Sequence, residues 1–563
     1  MHQTVHRVFG HLFKFCRIAG GTYTPSSGHS LCILKGISLL RGTDEYGPMG
    51  NMKENKKSSG TQSIWMGSSV ESASRPLDRS LDTDVCIVGA GIAGLSTAYS
   101  LSCEGKSVVV LDDGPIGGGM TERTTAHLSN VIDDGYVTIE RLHGKHGARM
   151  AADSHTAAID RIETIVVTER FDCDFERVDG FLFPALGHPP ERLEEERLAA
   201  LRAGLVGVER IERPAGPVLE TGGCLRFPRQ AQFHPVKFVT GLAQAIERCG
   251  GRIFTDAHVS TVKGGQQARI ETRQGHAIVA QSVVVATNTP VNDMVVVHTK
   301  QAPYTTYVLG AGVPKDSVPV ALYWDQADPY HYVRIQKDAA ANGHDLLIVG
   351  GEDHKTGQAN DGAQRYQRLE HWARKRFPMM EQIEYRWSGQ VMEPTDGLAL
   401  IGRNPDDTSN VYIATGDSGM GMTHGMIAGM LITDLIQERA NDWAALYDPS
   451  RKSLKSIGTF VQENLNVAAQ YADWVSSGDI GSEDQIPKDS GAVLRSGVQK
   501  VAVYRDEEGT VHRRSAVCPH LKCIVAWDSI ERTWNCPCHG SRFDAYGKVL
   551  NGPANSDLSP IET

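Results

Sequence analysis

The stretch Asp84-Val-Cys-Ile-Val-Gly89-Ala-Gly91-Ile-Ala-Gly94-Leu-Ser-Thr-Ala-Tyr99 decides the fold of the larger part of this chain. It reads as an apolar strand, a glycine turn and a helix. Gly89 allows the tight turn, Gly91 lets the backbone approach a pyrophosphate, and Gly94 lets helix and strand pack closely. The amides and positive dipole at the helix N-terminus suit an anionic group. The pattern predicts a dinucleotide-binding strand-turn-helix unit.

An acidic residue stands where such a unit binds ribose. A second apolar strand, Ser107-Val-Val-Val-Leu111, is followed by Asp112, which lies roughly 20 residues after Gly89. A glycine turn by itself also occurs in purely structural positions, so the strand, the helix and the acid in register carry the prediction. They do not distinguish FAD from NAD, and that choice depends on other segments.

The C-terminal part of the chain contains two loops rich in cysteine and histidine. They read Cys518-Pro-His520-Leu-Lys-Cys523 and Cys536-Pro-Cys538-His539-Gly-Ser541. The cysteine and histidine pairs at ligand spacing are Cys518 with His520 and Cys536 with His539. Two thiolates on one iron and two imidazoles on the other hold a Rieske 2Fe-2S cluster. Tetrahedral zinc accepts the same atoms, but zinc fingers usually pair Cys with Cys and His with His along the chain.

These loops resemble the cluster loops of the Rieske proteins of cytochrome bc complexes and of Rieske ferredoxin-like domains. The resemblance implies a disulfide between Cys523 and Cys538 that joins the loops, and such a buried bond can persist in a reducing compartment. High-potential members carry a serine and a tyrosine after the second loop, whereas this chain keeps Ser541 and has Phe543 in place of the tyrosine. Since hydrogen bonds to sulfur tune the cluster, we expect a reduction potential below the respiratory range.

Five further segments bear on the nucleotide, at residues 117–127, 233–235, 253–262, 282–288 and 411–425. With the glycine turn, they resemble the D-amino-acid oxidase and glycine oxidase superfamily of FAD-dependent oxidoreductases, particularly its members with a fused C-terminal Rieske domain. The resemblance covers residues 81 to about 440 and the Rieske tail. It implies two cofactors, FAD and a Rieske-type 2Fe-2S cluster, and hydride transfer from an amine or amino-acid substrate to the flavin.

The resemblance also implies individual contacts with FAD. The residues at the pyrophosphate and the adenosine would be Gly89, Gly91, Gly94, Asp112 and Val259. Those beside the flavin and its ribityl chain would be Thr121, Arg123, Thr124, Thr125, Gly416 and Asp417. Gly421 is a further expected contact, and a helix beginning near Thr423 would direct its positive end at the flavin ring and stabilise the anionic reduced form. On physical grounds alone, the same glycine-rich stretch could be an ordinary turn before a surface helix.

The predicted fold class is α/β, with a Rossmann-like FAD-binding domain, an interleaved α+β substrate domain and a small all-β Rieske domain. The FAD-binding pieces are expected at 81–150, 225–295 and 385–445, which together with the substrate domain at 151–224 and 296–384 make an oxidoreductase of residues 81–445. A helical linker is expected at 446–485, and the Rieske domain at 486–563. Residues 1–80 are expected to be a disordered N-terminal extension.

Composition sets limits on location and partners. The 563 residues are 40% hydrophobic and carry a formal net charge of -10, which suggests several domains and argues against nucleic-acid binding. No apolar run approaches the roughly 20 residues that a membrane-spanning helix needs, so we expect a cytoplasmic protein. Residues 1–51 contain no acid before Asp44 and are either an organellar transit peptide or a stretch before a natural start at Met52. The second interpretation is favoured, with an organellar location as the alternative.

The substrate site is less defined by the sequence. A carboxylate-bearing substrate needs a guanidinium fork, and the segment Asp328-Pro-Tyr-His331-Tyr-Val-Arg334 is the best candidate to supply one. His331 and Arg334 are therefore the predicted catalytic residues. The alternative is an exposed arginine on a hairpin strand.

Three functions were compared. The favoured one is oxidation of a small amine or amino acid, with electrons leaving singly through the cluster to an acceptor that the sequence does not identify. A Rieske oxygenase is disfavoured because we find no 2-His-1-carboxylate iron site in the sequence. A non-catalytic electron-transfer or redox-sensing role is the remaining alternative.

Overall fold

The computed structural model describes residues 61–67, 75–185, 191–212, 223–292, 296–405, 410–452 and 454–561. All of them belong to one compact unit, Lys57–Thr563. The predictions about residues 1–51 lie outside the described residues. Among the helices of the described part, none is long and apolar enough to cross a membrane.

The elements of the described residues are numbered in chain order. The helices are α1 Ile92–Cys103, α2 Gly135–Glu169, α3 Glu191–Arg202, α4 Pro235–Arg248, α5 Gly362–Arg376, α6 Gly421–Ile436, α7 Ala444–Tyr447 and α8 Ile457–Gln470. The first ten strands are β1 Leu81–Val88, β2 Val108–Leu111, β3 His127–Leu128, β4 Glu176–Phe183, β5 Glu209–Ile211, β6 Cys224–Gln232, β7 Arg252–Phe254, β8 Val259–Lys263, β9 Ala268–Thr272 and β10 Ala277–Val285. Those that follow are β11 Gln301–Val313, β12 Leu322–Asp325, β13 His331–Gln336, β14 Asp345–Lys355, β15 Ile383–Pro394, β16 Leu400–Arg403 and β17 Val411–Thr415. The C-terminal strands are β18 Ser490–Ser496, β19 Gln499–Arg505, β20 Val511–Ser515, β21 Ala526–Asp528, β22 Thr533–Asn535, β23 Arg542–Asp544 and β24 Val549–Asn551.

The first sheet contains the glycine turn. Its strand order is β16-β17-β10-β1-β2-β7, with the hairpin of β8 and β9 joined to β10. β1 pairs in parallel with both β2 and β10, and the four residues of β2 are all buried, as expected for a central strand covered on both faces. The sheet draws on three separated parts of the chain, so the nucleotide-binding domain is discontinuous.

The second sheet has the order β15-β11-β14-β13-β12-β4-β6-β3, with β5 paired to β6. One face is covered by α5, where Tyr366, Leu369 and Phe377 join a buried cluster with Val333 and Val349. β6 and β15 lie in this sheet, although the sequence analysis assigned residues 225–295 and 385–445 to the FAD-binding pieces. The sequence of a strand does not indicate which sheet it joins, so the domain boundaries at these two strands stay a prediction.

Residues 61–67 correct the expectation that the whole of 1–80 is a disordered extension. Trp65 is 1% exposed and lies in the main hydrophobic core. Gln62 forms a bridge with Arg386 at the start of β15. One buried tryptophan in a polar stretch has no periodicity, and for that reason the sequence did not predict its place in the fold.

The C-terminal domain is all-β, in agreement with the predicted fold class. β18, β19 and β20 form one antiparallel sheet, and β21 to β24 form a second. Its core contains Trp527, Trp534 and Phe543 together with the cysteines of the two loops. The predicted linker contains α8, which contacts both parts of the molecule: Glu463 pairs with Lys355 at 2.5 Å, and Tyr471 just beyond it donates to the carbonyl of Leu521 at 2.6 Å.

Candidate cofactor and substrate sites

The turn between β1 and α1 forms a cradle that only glycine permits. Gly89 has φ +111°, and a Cβ there would overlap the carbonyl of Ala286. A Cβ at Gly94 would overlap the carbonyl of Gly89, and one at Gly91 would lie 3.2 Å from Thr121 Oγ1. Gly91, the N-cap residue of α1, makes no side-chain cap, and the first amide of the helix, that of Ile92, donates to Thr121 Oγ1. The cradle fits a dinucleotide pyrophosphate.

Asp112 follows β2 beside this turn. Its Oδ2 accepts a hydrogen bond from the Ala90 amide at 2.5 Å, and Oδ1 accepts one from Gly114 at 2.8 Å. Burial raises the pKa of its carboxyl to about 7. Val259 begins β8 and is buried in the same core cluster as Leu111. The structure thus brings Asp112 to the turn, while its contact with ribose and that of Val259 with adenine stay predictions.

The segment after β2 that was expected to follow the flavin contains a short 3₁₀-helix, Met120–Arg123. Two indole groups hold its backbone: Trp387 Nε1 donates to the Arg123 carbonyl at 2.9 Å, and Trp65 Nε1 donates to the Thr124 carbonyl at 2.6 Å. Thr121 Oγ1 accepts from the amide of Ile92 at 3.1 Å and so ties the segment to the start of α1. We call residues 120–127 the flavin loop.

The second predicted flavin segment lies at the end of β17. Gly416 has φ +73°, and the Oδ1 atom of Asp417 accepts from the Met392 amide at 2.8 Å. α6 begins at Gly421, two residues before the predicted Thr423, and has no side-chain cap. The hydroxyl of Thr423 is buried against His155 at 2.8 Å. Thr423 therefore packs against α2 with its side chain, and the helix N-terminus remains the part suited to an anionic ring.

The predicted arginine fork is contradicted by the contacts of Arg334. Its side chain is 0% exposed, and Nη1 donates to the carbonyls of Thr125, Ala126 and Phe233 at 3.2, 3.1 and 3.1 Å. Nη2 donates to Gln336. Burial lowers the pKa of the guanidinium to about 9, so it stays charged at neutral pH. Arg334 holds the flavin loop and has no open face for a substrate carboxylate.

His331 is also misplaced for the predicted catalytic role. Its Nδ1 pairs with Asp325 at 3.1 Å, and its ring stacks on Trp372 of α5 with centroids 4.2 Å apart. Successive side chains of a strand point to opposite faces, so His331 lies on the α5 side while Tyr332 faces the flavin loop, with its ring 5.7 Å from that of His127.

A first prediction follows for Arg334→Lys. One ammonium cannot serve three carbonyls and a glutamine in a planar fork, so we expect a loss of roughly 3 kcal/mol of unfolding free energy. The Michaelis constants of neutral and carboxylate-bearing amines should change by the same factor. Chemical denaturation and steady-state kinetics measure the two effects. A larger change for the carboxylate substrates alone would return Arg334 to the substrate site.

Between the flavin loop and the second flavin segment lies a group of carboxyl and tyrosine side chains that the sequence analysis missed. Its members are Asp133, Asp353, Glu393, Tyr330 and Tyr332. Tyr330 donates to Asp133 Oδ2 at 3.4 Å, and Ser418 donates to Glu393 Oε2 at 3.0 Å. Thr306 joins Tyr332 at 2.7 Å. These residues come from β13, β14, β15 and the start of α2, and no spacing in the sequence links them.

The two cysteine-histidine loops meet as predicted. Cys523 and Cys538 form a disulfide, which leaves Cys518 and Cys536 as thiols whose side chains are hydrogen-bonded to each other. The rings of His520 and His539 lie with centroids 5.1 Å apart. His539 Nδ1 is buried and has no hydrogen-bond partner within the described residues. Two thiols and two imidazoles at one buried place fit the donor set of a Rieske cluster.

The surroundings of the loops agree with the sequence analysis. The hydroxyl of Ser541 is hydrogen-bonded to the thiol of Cys518. Phe543 is 0% exposed and belongs to the same core cluster as both ligand cysteines. No hydroxyl is present at that position, and the expected low potential stays a prediction.

The cluster domain is docked on the oxidoreductase part through a buried ion pair. Arg123 of the flavin loop lies 3.3 Å from Glu531, with side chains 8% and 1% exposed. Although burial opposes ionisation, Arg123 and Arg542 hold the pKa of Glu531 below its usual range. Ser388 also donates to Glu531, at 2.6 Å. Arg123, predicted to contact the flavin, thus reaches the cluster domain with its guanidinium.

A histidine of the oxidoreductase part covers the ligand histidines. His298 is 2% exposed and lies in the 3₁₀-helix His298–Lys300. Its ring centroid is 4.9 Å from that of His520 and 5.9 Å from that of His539. Gln390 on β15 donates to the Gly540 carbonyl at 2.8 Å and holds the second loop nearby. The histidine side of the cluster site therefore faces the oxidoreductase part.

The fold and the two sites together define an FAD-dependent oxidoreductase with an attached iron-sulfur domain. Residues 84–435 match the family described as FAD dependent oxidoreductase, and residues 476–562 match the Rieske [2Fe-2S] domain. The chain therefore belongs to this family of FAD-dependent oxidoreductases and uses FAD and a 2Fe-2S cluster.

The chain is also similar to three individual proteins. YhfW of Bacillus subtilis (strain 168), described as a Rieske 2Fe-2S iron-sulfur protein, is 31% identical over 492 residues, which are 86% of this chain and 94% of that protein. Gamma-glutamylputrescine oxidoreductase of Escherichia coli (strain K12) is 28% identical and covers 66% of this chain and 87% of its own length. The glycine oxidase structure from Geobacillus kaustophilus shares the fold with a TM-score of 0.55 at 17% identity, over 66% of this chain and 99% of that one.

Proposed function

We propose that this protein oxidises a small amine at the flavin and passes the electrons to the Rieske cluster within the same chain. FAD, when bound, accepts a hydride from the carbon that bears the amine, and the cluster takes up single electrons. The substrates named in two similar proteins, gamma-glutamylputrescine and glycine, both carry an amine.

The observation that carries the proposal is the orientation of the cluster site. His520 and His539 face His298 of the oxidoreductase part, and three residues further Gln301 donates to Thr415 at 3.1 Å, next to Gly416 of the second flavin segment. Packed residues thus connect the cluster loops with the segment that is expected to bind the flavin. The buried pair of Arg123 and Glu531 keeps the domains in this arrangement.

The test is an anaerobic screen of amines and amino acids by rapid mixing, with the absorbance of flavin and of cluster recorded together. We expect the flavin to bleach first and the cluster signal to change afterwards at a rate independent of protein concentration. A compound that bleaches the flavin without any reduction of the cluster would contradict the relay. Failure of every amine to bleach a flavin that dithionite reduces would contradict the enzymatic function and favour a sensing role.

A further inference from the structure

Among the described residues, the carboxyl groups beside the flavin segments have no basic side chain that is not already paired elsewhere. The two basic groups that act on Asp353 are His331 and Arg365, which pair with Asp325 and Asp361. The groups that act on Asp133 are the carboxyls of Asp134, Asp353 and Asp417 and the hydroxyl of Tyr330. Those that act on Glu393 are Asp134, Asp417, Asp133 and Ser418. None of these is a cation. Arg334 is directed at the carbonyls of the flavin loop instead.

The position of the group is that of a substrate site. A Cβ at Gly419 would overlap Asp133, so the second flavin segment and Asp133 touch. A Cβ built on Gly389 would lie 3.4 Å from the carbonyl oxygen of Arg123, so β15 lies close to the flavin loop. Asp133 is accessible to solvent, yet desolvation by the surrounding protein raises the pKa of its carboxyl to about 7. A ligand can therefore reach the Asp133 carboxyl from solvent.

One carboxylate oxygen is left without a partner in the interior. Oδ1 of Asp353 is buried and makes no hydrogen bond within the described residues, while its carboxyl is hydrogen-bonded to Thr306, the residue that binds Tyr332. Desolvation raises the pKa of Asp353 to about 6. An unpartnered buried acceptor is costly, and a donor from a ligand would satisfy it.

Two aromatic rings accompany the carboxyl groups. Tyr330 and Tyr332 have centroids 5.5 Å apart with planes inclined by 33°. Faces of tyrosine rings attract ammonium groups. Carboxyl and tyrosine side chains without an available guanidinium suit an ammonium ligand and repel a carboxylate.

We propose that Asp133, Asp353 and Glu393 select a substrate that is an aliphatic diamine without a carboxylate. This inference rests on the proposed function. The amine that is oxidised reacts as the free base, because its lone pair must assist the departure of hydride from the adjoining carbon. The charge that the carboxylates bind therefore belongs to a second ammonium group of the same molecule.

The reaction balances with FAD as the oxidant. The carbon next to the reacting nitrogen loses one hydride, which carries two electrons, and an iminium ion forms. Water adds to the iminium carbon, and the carbon-nitrogen bond breaks to give an aldehyde and an ammonium ion, which carries away the positive charge of the iminium. Asp133 and Glu393 hold the remaining ammonium group, and Tyr330 orients Asp133 through its hydrogen bond.

The experiment compares 1,4-diaminobutane, 1-aminobutane and 4-aminobutanoate in anaerobic rapid mixing with the full chain carrying both cofactors. The dissociation constant is obtained from the dependence of flavin bleaching on substrate concentration. We expect the diamine to bind about tenfold or more tightly than either other compound, which corresponds to roughly 1.4 kcal/mol. Asp133→Asn and Asp353→Asn should each weaken the diamine by about tenfold and change 1-aminobutane much less.

The matched control is Glu352→Gln. Glu352 precedes Asp353, but its carboxylate accepts from Arg368 at 2.7 Å, and we expect no change for any of the three compounds. Flavin content and thermal unfolding show whether each variant is folded, and either aspartate variant is sufficient for the test. Preferential bleaching by 4-aminobutanoate, or equal loss for all amines in the variants, would overturn the inference and leave amine oxidation intact. Bleaching by none of the compounds in a screen that also includes amino acids would overturn both.

Discussion

Replacing Cys518 with alanine will abolish turnover with a one-electron acceptor and leave substrate-driven bleaching of the flavin at its normal rate. The substitution removes a ligand of the cluster, and since outer-shell changes already cost roughly 10–100-fold at metal sites, we expect a loss of about 100-fold or more. The flavin segments belong to a separate core cluster from that of Cys518. The Cys523–Cys538 disulfide should still join the two loops.

The measurement combines iron and sulfide content, the visible spectrum, and turnover with a one-electron acceptor. Cys173→Ala is the matched control, because Cys173 is equally buried but lies in the main core of the oxidoreductase part. It should retain iron, sulfide and turnover. Unchanged turnover in the Cys518 variant would mean that electrons leave the flavin directly and that the cluster domain has another role.

The parts of this protein that could be predicted from sequence are those set by short spacing. Each of these motifs is short. The glycines lie directly after their strand, and the two cysteine-histidine pairs lie within about 20 residues of each other. The structure brings the residues of each motif together. The disulfide between Cys523 and Cys538 was implied by the resemblance to Rieske loops and is present in the structure. Local geometry dictates each of these residues.

The proposed substrate site could not be predicted in this way. Asp133, Asp353 and Glu393 come from three distant parts of the chain, and each is an ordinary acid in its own segment. Arg334 was given the wrong role because a sequence does not show which carbonyls surround a buried guanidinium. His298 and Glu531 depend on how the cluster domain docks, and their contacts are fixed only in the tertiary structure.

The second large effect is expected for Glu531→Gln, which removes the negative charge from the docking site. Arg123 and Arg542 would then be buried without a counter-charge, at 3.3 and 3.9 Å from the former carboxylate. Breaking one side of a buried pair costs about 3–5 kcal/mol. Because the amide keeps the shape and can still accept from Ser388, we expect the cluster domain to remain folded but to dissociate from the oxidoreductase part.

The consequence for function is a slower transfer from flavin to cluster, with both cofactors still bound. Rapid mixing with substrate should show normal flavin bleaching and cluster reduction slowed by about tenfold or more, as expected when roughly 1.4 kcal/mol or more of docking energy is lost. Asp557→Asn is the control on the same interface, since Asp557 faces Arg273 at 3.7 Å with both side chains nearly half exposed. Exposed pairs contribute about 0–1 kcal/mol, so this variant should transfer electrons at the normal rate.

A double variant distinguishes the effect of an unpaired buried charge from the effect of losing the contact between Arg123 and Glu531. In Arg123→Met with Glu531→Gln, the arginine nearer to Glu531 is removed together with the carboxylate. Replacement of a buried ion pair by uncharged groups is often close to neutral. We therefore expect this double variant to recover part of the stability and of the transfer rate. If the single variant unfolded at a lower denaturant concentration but reduced its cluster at the normal rate, the fixed docking of Arg123 on Glu531 would contribute to stability alone. Transfer would then depend on a mobile cluster domain, in which His298 has no lasting contact with the ligand histidines.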